Sequence, residues 1–334
     1  MSELAASHLG SGGARPDGAA LGDDGSTRPI GRRREDRIVA VSPLAQRAVD
    51  RAQLAARSEQ PVLVRGPAGS GKSMLARAVH VWSAIASGPL ETLHCAAVPE
   101  PLQARELLGC AAGTYPALPG AFEGALARAA GGTLLLEGVE ALTAAVRSSL
   151  SRALATGRYR PDGGGDERPL RARIVATADG KAGESSLGAP CQEVVLAPLD
   201  ERHEDVLPLA AHFLALFAAE AGTEAVGFAT DARAALVEES WPGNVSELRE
   251  RVRQAVRLAG GGAISSEALM LAARADQVPS FRDAKRAFEA RYVQSLLRLC
   301  DGNISQAARL AKKDRKDFYD VIRRTGVDPS LFRR

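Results

Sequence analysis

The sequence predicts an α/β protein: a parallel sheet with helices on both faces, a small helical domain after it, and an all-α module at the carboxyl end. Three observations carry that prediction. Short β-rich apolar runs alternate with helical stretches from Ile38 to about Leu199, the pattern of βαβ units and of a sheet covered on both sides. Residues 200–258 then read as helical throughout. Charge also segregates: residues 281–334 carry 14 Lys and Arg against 7 Asp and Glu, a net of +7 in a chain whose total is +3. The other 280 residues therefore sum to −4, so a basic module follows a mildly acidic body and a polyanion is the partner its charge suits.

Taken in order, residues 1–37 hold seven Gly and few large apolar side chains, and end in Gly31-Arg32-Arg33-Arg34-Glu35-Asp36-Arg37. Nothing there can build a core, so a disordered tail is expected, its arginine run a solvated linker or a nucleic-acid contact. Residues 38–199 form the α/β domain. Pro61–Arg65 predicts a buried strand, followed by a glycine loop and a helix over Met74–Trp82. Thr133–Leu136 is a second strand, with a helix over Ala141–Ala155, and Ala172–Thr177 is a third. Within 200–258, Pro208 stands near a helix start, and Trp241-Pro242-Gly243-Asn244 is a turn before another helix. Residues 259–280, opening on Gly260-Gly261-Gly262, read as a linker to the module at 281–334.

Composition excludes several classes. The chain has 334 residues, 45% hydrophobic and 25% charged, as a soluble protein of two or three domains should. Its longest mostly apolar stretch, Val206–Ala219, is 14 residues and too short to span a bilayer. With a small, polar amino terminus lacking the apolar core of a secretory signal, a cytoplasmic location with no membrane partner is expected. Cys95, Cys110, Cys191 and Cys300 lie 15, 81 and 109 residues apart, which suits buried free thiols rather than a disulfide framework or zinc site. Cys95 sits in a strand-like run, Trp82 and Trp241 read as packing residues, and His80 as surface or packing.

The most specific signal is Gly66-Pro67-Ala68-Gly69-Ser70-Gly71-Lys72-Ser73, which fits G-x-x-x-x-G-K-[ST] between a predicted strand and a predicted helix. Glycines let successive backbone N–H groups converge on phosphate oxygens, and the helix amino terminus adds partial positive charge. Lys72 would pair with the β/γ-phosphates, and the Ser73 hydroxyl would ligate Mg²⁺. Only six residues are Lys against 37 Arg, so a lysine at this position is informative. ATP or ADP with Mg²⁺ is the implied cofactor. An acidic partner is expected at the end of a neighbouring strand, and Glu137 supplies it where Asp is usual, one methylene longer. The next position, where a water-activating carboxylate would stand, is Gly138. Glu140 is the nearest substitute, two residues further on as the next helix begins.

Together these segments resemble the AAA+ domain of bacterial enhancer-binding proteins, the NtrC-like regulators that interact with sigma-54, from about Ile38 to Leu258. Matching blocks are Leu93–Ala97 (family VNCAA), Glu106–Gly109 (ELFG), Gly131–Leu136 (GGTLFL), Leu196–Leu199 (LPPL) and Trp241–Val245 (WPGNV). The resemblance implies an AAA+ P-loop sheet with a helical lid over 200–258. It also puts the family's sigma-54 contact loop, GAFTGA, on Gly113-Thr114-Tyr115-Pro116-Ala117-Leu118. An aromatic remains at Tyr115, but Pro116 stands for the family's Thr and removes an N–H. The sensor Asn is Asp179, an acidic group set toward the γ-phosphate. No arginine occurs between Arg173 and Arg202, where the family's arginine fingers lie, and the sensor-II arginine is Ser246. An arginine finger is worth about 10³–10⁵ in rate, so the resemblance implies nucleotide binding with impaired hydrolysis.

At the carboxyl end, Phe281, Ala284, Phe288, Tyr292 and Leu296 recur at helical spacing with Val293 and Leu297 beside them, predicting one apolar helix face. Asp301-Gly302-Asn303 ends that helix and starts a second over Ile304–Ala311, with Gly302 as a left-handed cap and Asn303 as the N-cap. After Lys312-Lys313, a third helix runs from Asp314 to Arg324. Its Phe318 and Ile322 face inward, while Arg315, Lys316, Tyr319 and Arg323 face out toward bases and phosphates. This string resembles a Fis-type helix-turn-helix, with Ala311 where the family's turn has Gly. The resemblance implies DNA as partner and a dimer through the first helix. The whole reads as a DNA-binding transcriptional regulator with an eroded ATPase and sigma-54 contact. Two alternatives stay open: a working AAA+ ATPase that remodels RNA polymerase with sigma-54, or an inactive subunit of a mixed ring.

Overall fold

The computed structural model describes residues 27–29, 37–116, 120–180, 187–223, 225–273 and 280–332. They divide into two units, one ending at Leu269 and one beginning at Met270. In chain order the first contains β1 (Thr27–Pro29), β2 (Arg37–Val39), α1 (Pro43–Ala56), β3 (Val62–Arg65), α2 (Lys72–Val81), β4 (Leu90–His94), α3 (Glu100–Leu108) and α4 (Ala125–Arg128). It continues with β5 (Thr133–Glu137), α5 (Ala144–Thr156), β6 (Arg158–Tyr159), β7 (Arg168–Pro169), β8 (Arg173–Ala178) and β9 (Gln192–Val195). The lid adds α6 (Val206–Ala221), β10 (Ala225–Phe228), α7 (Thr230–Glu238), α8 (Asn244–Ala259) and β11 (Gly262–Ile264), and α9 (Ser266–Leu271) spans the boundary between the units.

The main sheet is parallel with strand order β4-β5-β8-β3-β9. Alternate side chains of its central strands go to opposite faces. Leu63, Leu134, Leu136 and Ile174 pack with α5 residues Val146 and Leu150 on one side. Val62, Val64, Leu135 and Val175 pack with α1 and α2 on the other. Covered twice, these strands are continuous apolar runs, and each buried Leu or Val contributes about 1.5–3 kcal/mol. Helix α1 begins at Pro43, with the Ser42 hydroxyl accepting from the Ala45 N–H. At its other end the buried Arg173 guanidinium donates to the carbonyls of Ala55 and Ala56, a cation set on a helix carboxyl terminus. Burial pulls that guanidinium's pKa down from its ordinary value, with Glu59 opposing.

Two boundary expectations need correction. The tail over 1–37 is not structureless throughout, because Thr27–Pro29 pairs antiparallel with Arg37–Val39, a backbone ladder that needs no apolar side chains; residues 1–26 and 30–36 lie outside the described set. The linker over 259–280 likewise contains structure. Gly262–Ile264 pairs parallel with Ala225–Phe228, Ile264 is buried, and α9 follows. Smaller corrections concern Cys95, which is buried in a 3-10 turn after β4 rather than in a strand, and Glu140, which lies in a 3-10 turn before α5.

The second unit contains α10 (Phe281–Leu299), α11 (Ile304–Leu310) and α12 (Arg315–Thr325). Its core joins Val293, Leu297 and Cys300 to Ala307, Ala308, Phe318 and Ile322. Of the apolar face predicted for the first helix, Val293 and Leu297 are packed with Leu296 against them, whereas Phe281, Phe288 and Tyr292 are exposed, and the last two stack on each other at 6.3 Å. As anticipated, the Asn303 side chain accepts from the Gln306 N–H and Gly302 is left-handed. Lys312 takes a left-handed conformation (φ 51°) in the turn next to Ala311.

Candidate functional site

The glycine loop leaves the carboxyl end of β3, a central strand between β8 and β9, which is where parallel sheets present ligand clefts. Gly69 and Gly71 have φ of 74° and 102°, and a Cβ on Gly69 would stand 2.3 Å from the Gly243 carbonyl oxygen. Only glycine permits that backbone and that approach. Helix α2 starts directly at Lys72 with no side chain capping its first turn, so its amino-terminal N–H groups are left for an anion. The loop opens on a cleft of about 640 Å³. Ile38, Leu209, Phe213 and Leu216 form an apolar part of the lining, and Arg37, Arg77, Arg202 and Arg249 add four cations.

Lid residues hold the loop in place. Asn244, at φ 54°, accepts from the Leu199 N–H at 2.8 Å and donates to the Ala68 carbonyl at 3.0 Å. The Ser246 N–H donates to the Gly69 carbonyl. Arg202 is 3% exposed and donates to the Ser70 carbonyl at 2.7 Å. The fully buried Asp205 lies 3.7 Å from Arg202 and accepts from the Val41 and Ser42 N–H groups and the Ser42 hydroxyl, linking the lid to the start of α1. Burial lowers the Arg202 pKa, with Asp205 opposing the shift. His212, on the cleft wall, has its pKa lowered by burial and by the charges of Arg37 and Arg249.

The acidic positions are already engaged. Lys72 Nζ donates to the carbonyls of Gly66 (3.1 Å) and Pro67 (3.3 Å) and to Asp179 Oδ1 at 2.9 Å. Glu137, at the end of β5, lies 2.9 Å from His94 Nδ1 and 3.9 Å from an Arg77 nitrogen. Gly138 has φ 70°, and its N–H donates to the Thr177 hydroxyl. The glycine cradle, the uncapped α2 terminus and the four arginines fit a polyphosphate. For Mg²⁺, Glu137 offers one oxygen: Oε2 is taken by His94, while Oε1 is buried with no hydrogen bond and lies 3.9 Å from an Arg77 nitrogen. Among the described residues no group of three or more His, Cys, Asp or Glu could hold a metal by itself.

The first part of the expected sigma-contact loop is fastened to the domain. The Tyr115 hydroxyl donates to Asp162 Oδ2 at 2.6 Å, and the Arg105 guanidinium lies 5.6 Å from its ring. Burial together with that carboxylate pushes the phenol up to about 12. Thr114 donates to the Ala111 carbonyl, Gly113 is left-handed, and Pro116 sits in a turn. Ala117 and Leu118 lie outside the described residues.

In the second unit, Lys312, Lys313, Arg315, Lys316, Tyr319 and Arg323 are all exposed around α12, while Phe318 and Ile322 are buried beneath. Of the residues read as structural, Trp241 is buried with its indole N–H on the Leu236 carbonyl, Trp82 packs beside α1 and α2, and His80 is buried against the Thr133 hydroxyl. Sequence reasoning missed Arg202, Asn244, His94 and Arg249. Asn244 carried a usable signal, a polar residue closing a turn before a helix.

A parallel sheet with a glycine phosphate loop, roofed by a helical lid that grips the loop, defines an AAA+ nucleotide-site domain. Residues 38–187 match the family model of the sigma-54 interaction domain, and residues 200–285 match that of an AAA+ ATPase lid domain. The chain is 32% identical over 308 residues to transcriptional regulatory protein GlrR of Escherichia coli (strain K12), covering 89% of this chain and 69% of the relative. It is 30% identical over 292 residues to the HTH-type transcriptional regulatory protein TyrR of Enterobacter agglomerans, covering 83% of this chain and 56% of that one. The fold resembles NtrX from Brucella abortus, crystallised with ADP, at TM-score 0.62 and 24% identity over 87% of this chain and 70% of NtrX. The chain belongs to the sigma-54-dependent transcriptional regulator family. Among the described residues no helix is long and apolar enough to cross a membrane.

Proposed function

We propose that this protein is a DNA-binding transcriptional regulator that uses ATP or ADP as a bound ligand and hydrolyses it poorly. The observation that carries the reading is a split within one site. The phosphate loop has its glycine conformation and an open cleft, while Glu137 is shared with His94 and Arg77 and Gly138 offers no carboxylate to a water. Gly66 to Ser73 would hold the phosphates, and Ser73 and Glu137 are the groups through which Mg²⁺ would be met. NtrX, whose fold is similar, was crystallised with ADP and in a second case with ATP, which favours nucleotide binding here.

DNA contact falls to α11 and α12, through Lys312, Lys313, Arg315, Lys316, Tyr319 and Arg323; the exposed basic face supports it, as does similarity to a regulator of the HTH type. The exposed Phe288–Tyr292 side of α10 suits a dimer contact, and a ring is the usual assembly implied by an AAA+ domain. Contact with sigma-54 RNA polymerase is weakened, since Tyr115 is bound to Asp162 and Pro116 stiffens the loop. A calorimetric titration with ATP and with ADP, against a Lys72→Ala control, tests the ligand part: saturable binding lost in the control supports it, and no binding refutes it.

A further inference from the structure

We infer that Asp179 makes this a site selective for nucleoside diphosphate over triphosphate; the inference rests on the nucleotide-binding reading above. An ammonium has three N–H donors. In Lys72 they go to Gly66 O, Pro67 O and Asp179 Oδ1, at 3.1, 3.3 and 2.9 Å. The two carbonyls belong to the phosphate loop itself, so the carboxylate is the exchangeable partner. It sits where the lysine would meet a terminal phosphate, as a built-in anion.

Asp179 is held there by its backbone. It follows β8 directly, and the Gly66 N–H donates to the Ala178 carbonyl at 3.3 Å, which fixes the end of β8 against the first residue of the loop. A Cβ on the next residue, Gly180, would come within 3.8 Å of the Gly66 carbonyl carbon. The carboxylate therefore cannot leave the region of Lys72 without rotating its own side chain, which is exposed enough to do so.

The two nucleotides meet this arrangement differently. A diphosphate is held by the loop N–H groups and the start of α2, and its β-phosphate can share the Lys72 ammonium with Asp179. A triphosphate adds a γ-phosphate to the same ammonium, so it must displace Asp179 and then sit beside a like charge. Asparagine at this place, as in the family pattern, would impose neither cost and could donate to the phosphate. Asp179 is thus a specificity-determining residue.

The test is isothermal titration of the full chain with ADP and with ATP in Mg²⁺ buffer, for the parent, Asp179→Asn and Asp179→Ala. The parent should bind ADP more tightly than ATP by roughly tenfold. Both variants should tighten ATP and move ADP little, closing the ratio, with Asn at least as effective as Ala. Equal affinities in the parent, or variants that shift ADP and ATP alike, overturn the inference while leaving nucleotide binding standing. If the folded parent binds neither nucleotide, the nucleotide reading itself falls and takes the selectivity with it.

Discussion

Glu137 Oε2 stands 2.9 Å from Nδ1 of His94, so the acidic residue at the end of β5 is turned into the protein's own hydrogen-bond network. His94 is exposed and the pair is worth little to stability, about 0–1 kcal/mol at such a site. Its consequence is positional. His94→Ala should free the carboxylate while leaving nucleotide affinity within about fivefold of the parent and turnover at background, because Gly138 still lacks a base. Brisk hydrolysis by His94→Ala in a phosphate-release assay would mean that Glu137 alone suffices.

Gly138 is itself informative. Its φ of 70° strains any other residue, yet a Cβ would find nothing nearer than Glu140 Oε1 at 3.8 Å. Gly138→Glu should therefore fold, with stability lowered by about 1–2 kcal/mol in urea titration. A loss above about 4 kcal/mol would reveal a clash that the backbone geometry does not contain.

Asn244 joins the lid to the phosphate loop by donating to the Ala68 carbonyl, and it accepts a second hydrogen bond from the Leu199 N–H. Replacing it with Ala leaves the Leu199 N–H and the Ala68 carbonyl without those bonds and puts a methyl side chain at φ 54°. The expected cost is about 2–4 kcal/mol of unfolding free energy, with weaker nucleotide binding. An Ala variant within about 0.5 kcal/mol of the parent would remove Asn244 from the account.

His212 should make the protein acid-sensitive. Its folded pKa is lowered, by burial first and then by Arg37 and Arg249. The unfolded chain thus takes up a proton before the folded one does, and stability falls as pH drops below the unfolded value of about 6.5. His212→Gln, which does not titrate, should flatten the slope of melting temperature between about pH 7 and pH 5. An unchanged slope would contradict this.

In α12, Arg315 and Lys316 are exposed while Phe318 and Ile322 form the core. The double change Arg315→Ala and Lys316→Ala should abolish specific operator retention in a gel-shift assay and leave thermal stability within about 0.5 kcal/mol. Phe318→Ala, by contrast, should cost about 3–5 kcal/mol.

The sequence made the buried elements legible and the edge elements not. β3, β5 and β8 are covered on both faces and read as unbroken apolar runs. β4 (Leu-Glu-Thr-Leu-His) and β9 (Gln-Glu-Val-Val) are the sheet edges, where polar residues are tolerated and the pattern dissolves. β11 is held by backbone pairing, so its Gly262, following Gly260 and Gly261, passes for a linker. The period of α10 located apolar positions but not which of two adjacent faces is covered. The phosphate loop was readable because its residues are contiguous. Arg202 and Asn244 reach it from 132 and 176 residues away and leave no local mark. Asp179 was readable as a departure from a pattern, but its bond to Lys72 required the fold.

Retention of nucleotide without its consumption is tested by steady-state phosphate release from saturating ATP by the parent beside Lys72→Ala. The two rates should be indistinguishable, in a preparation that binds nucleotide. A parent rate well above the control, at the order of 1 per second ordinary for enzymes, would contradict it.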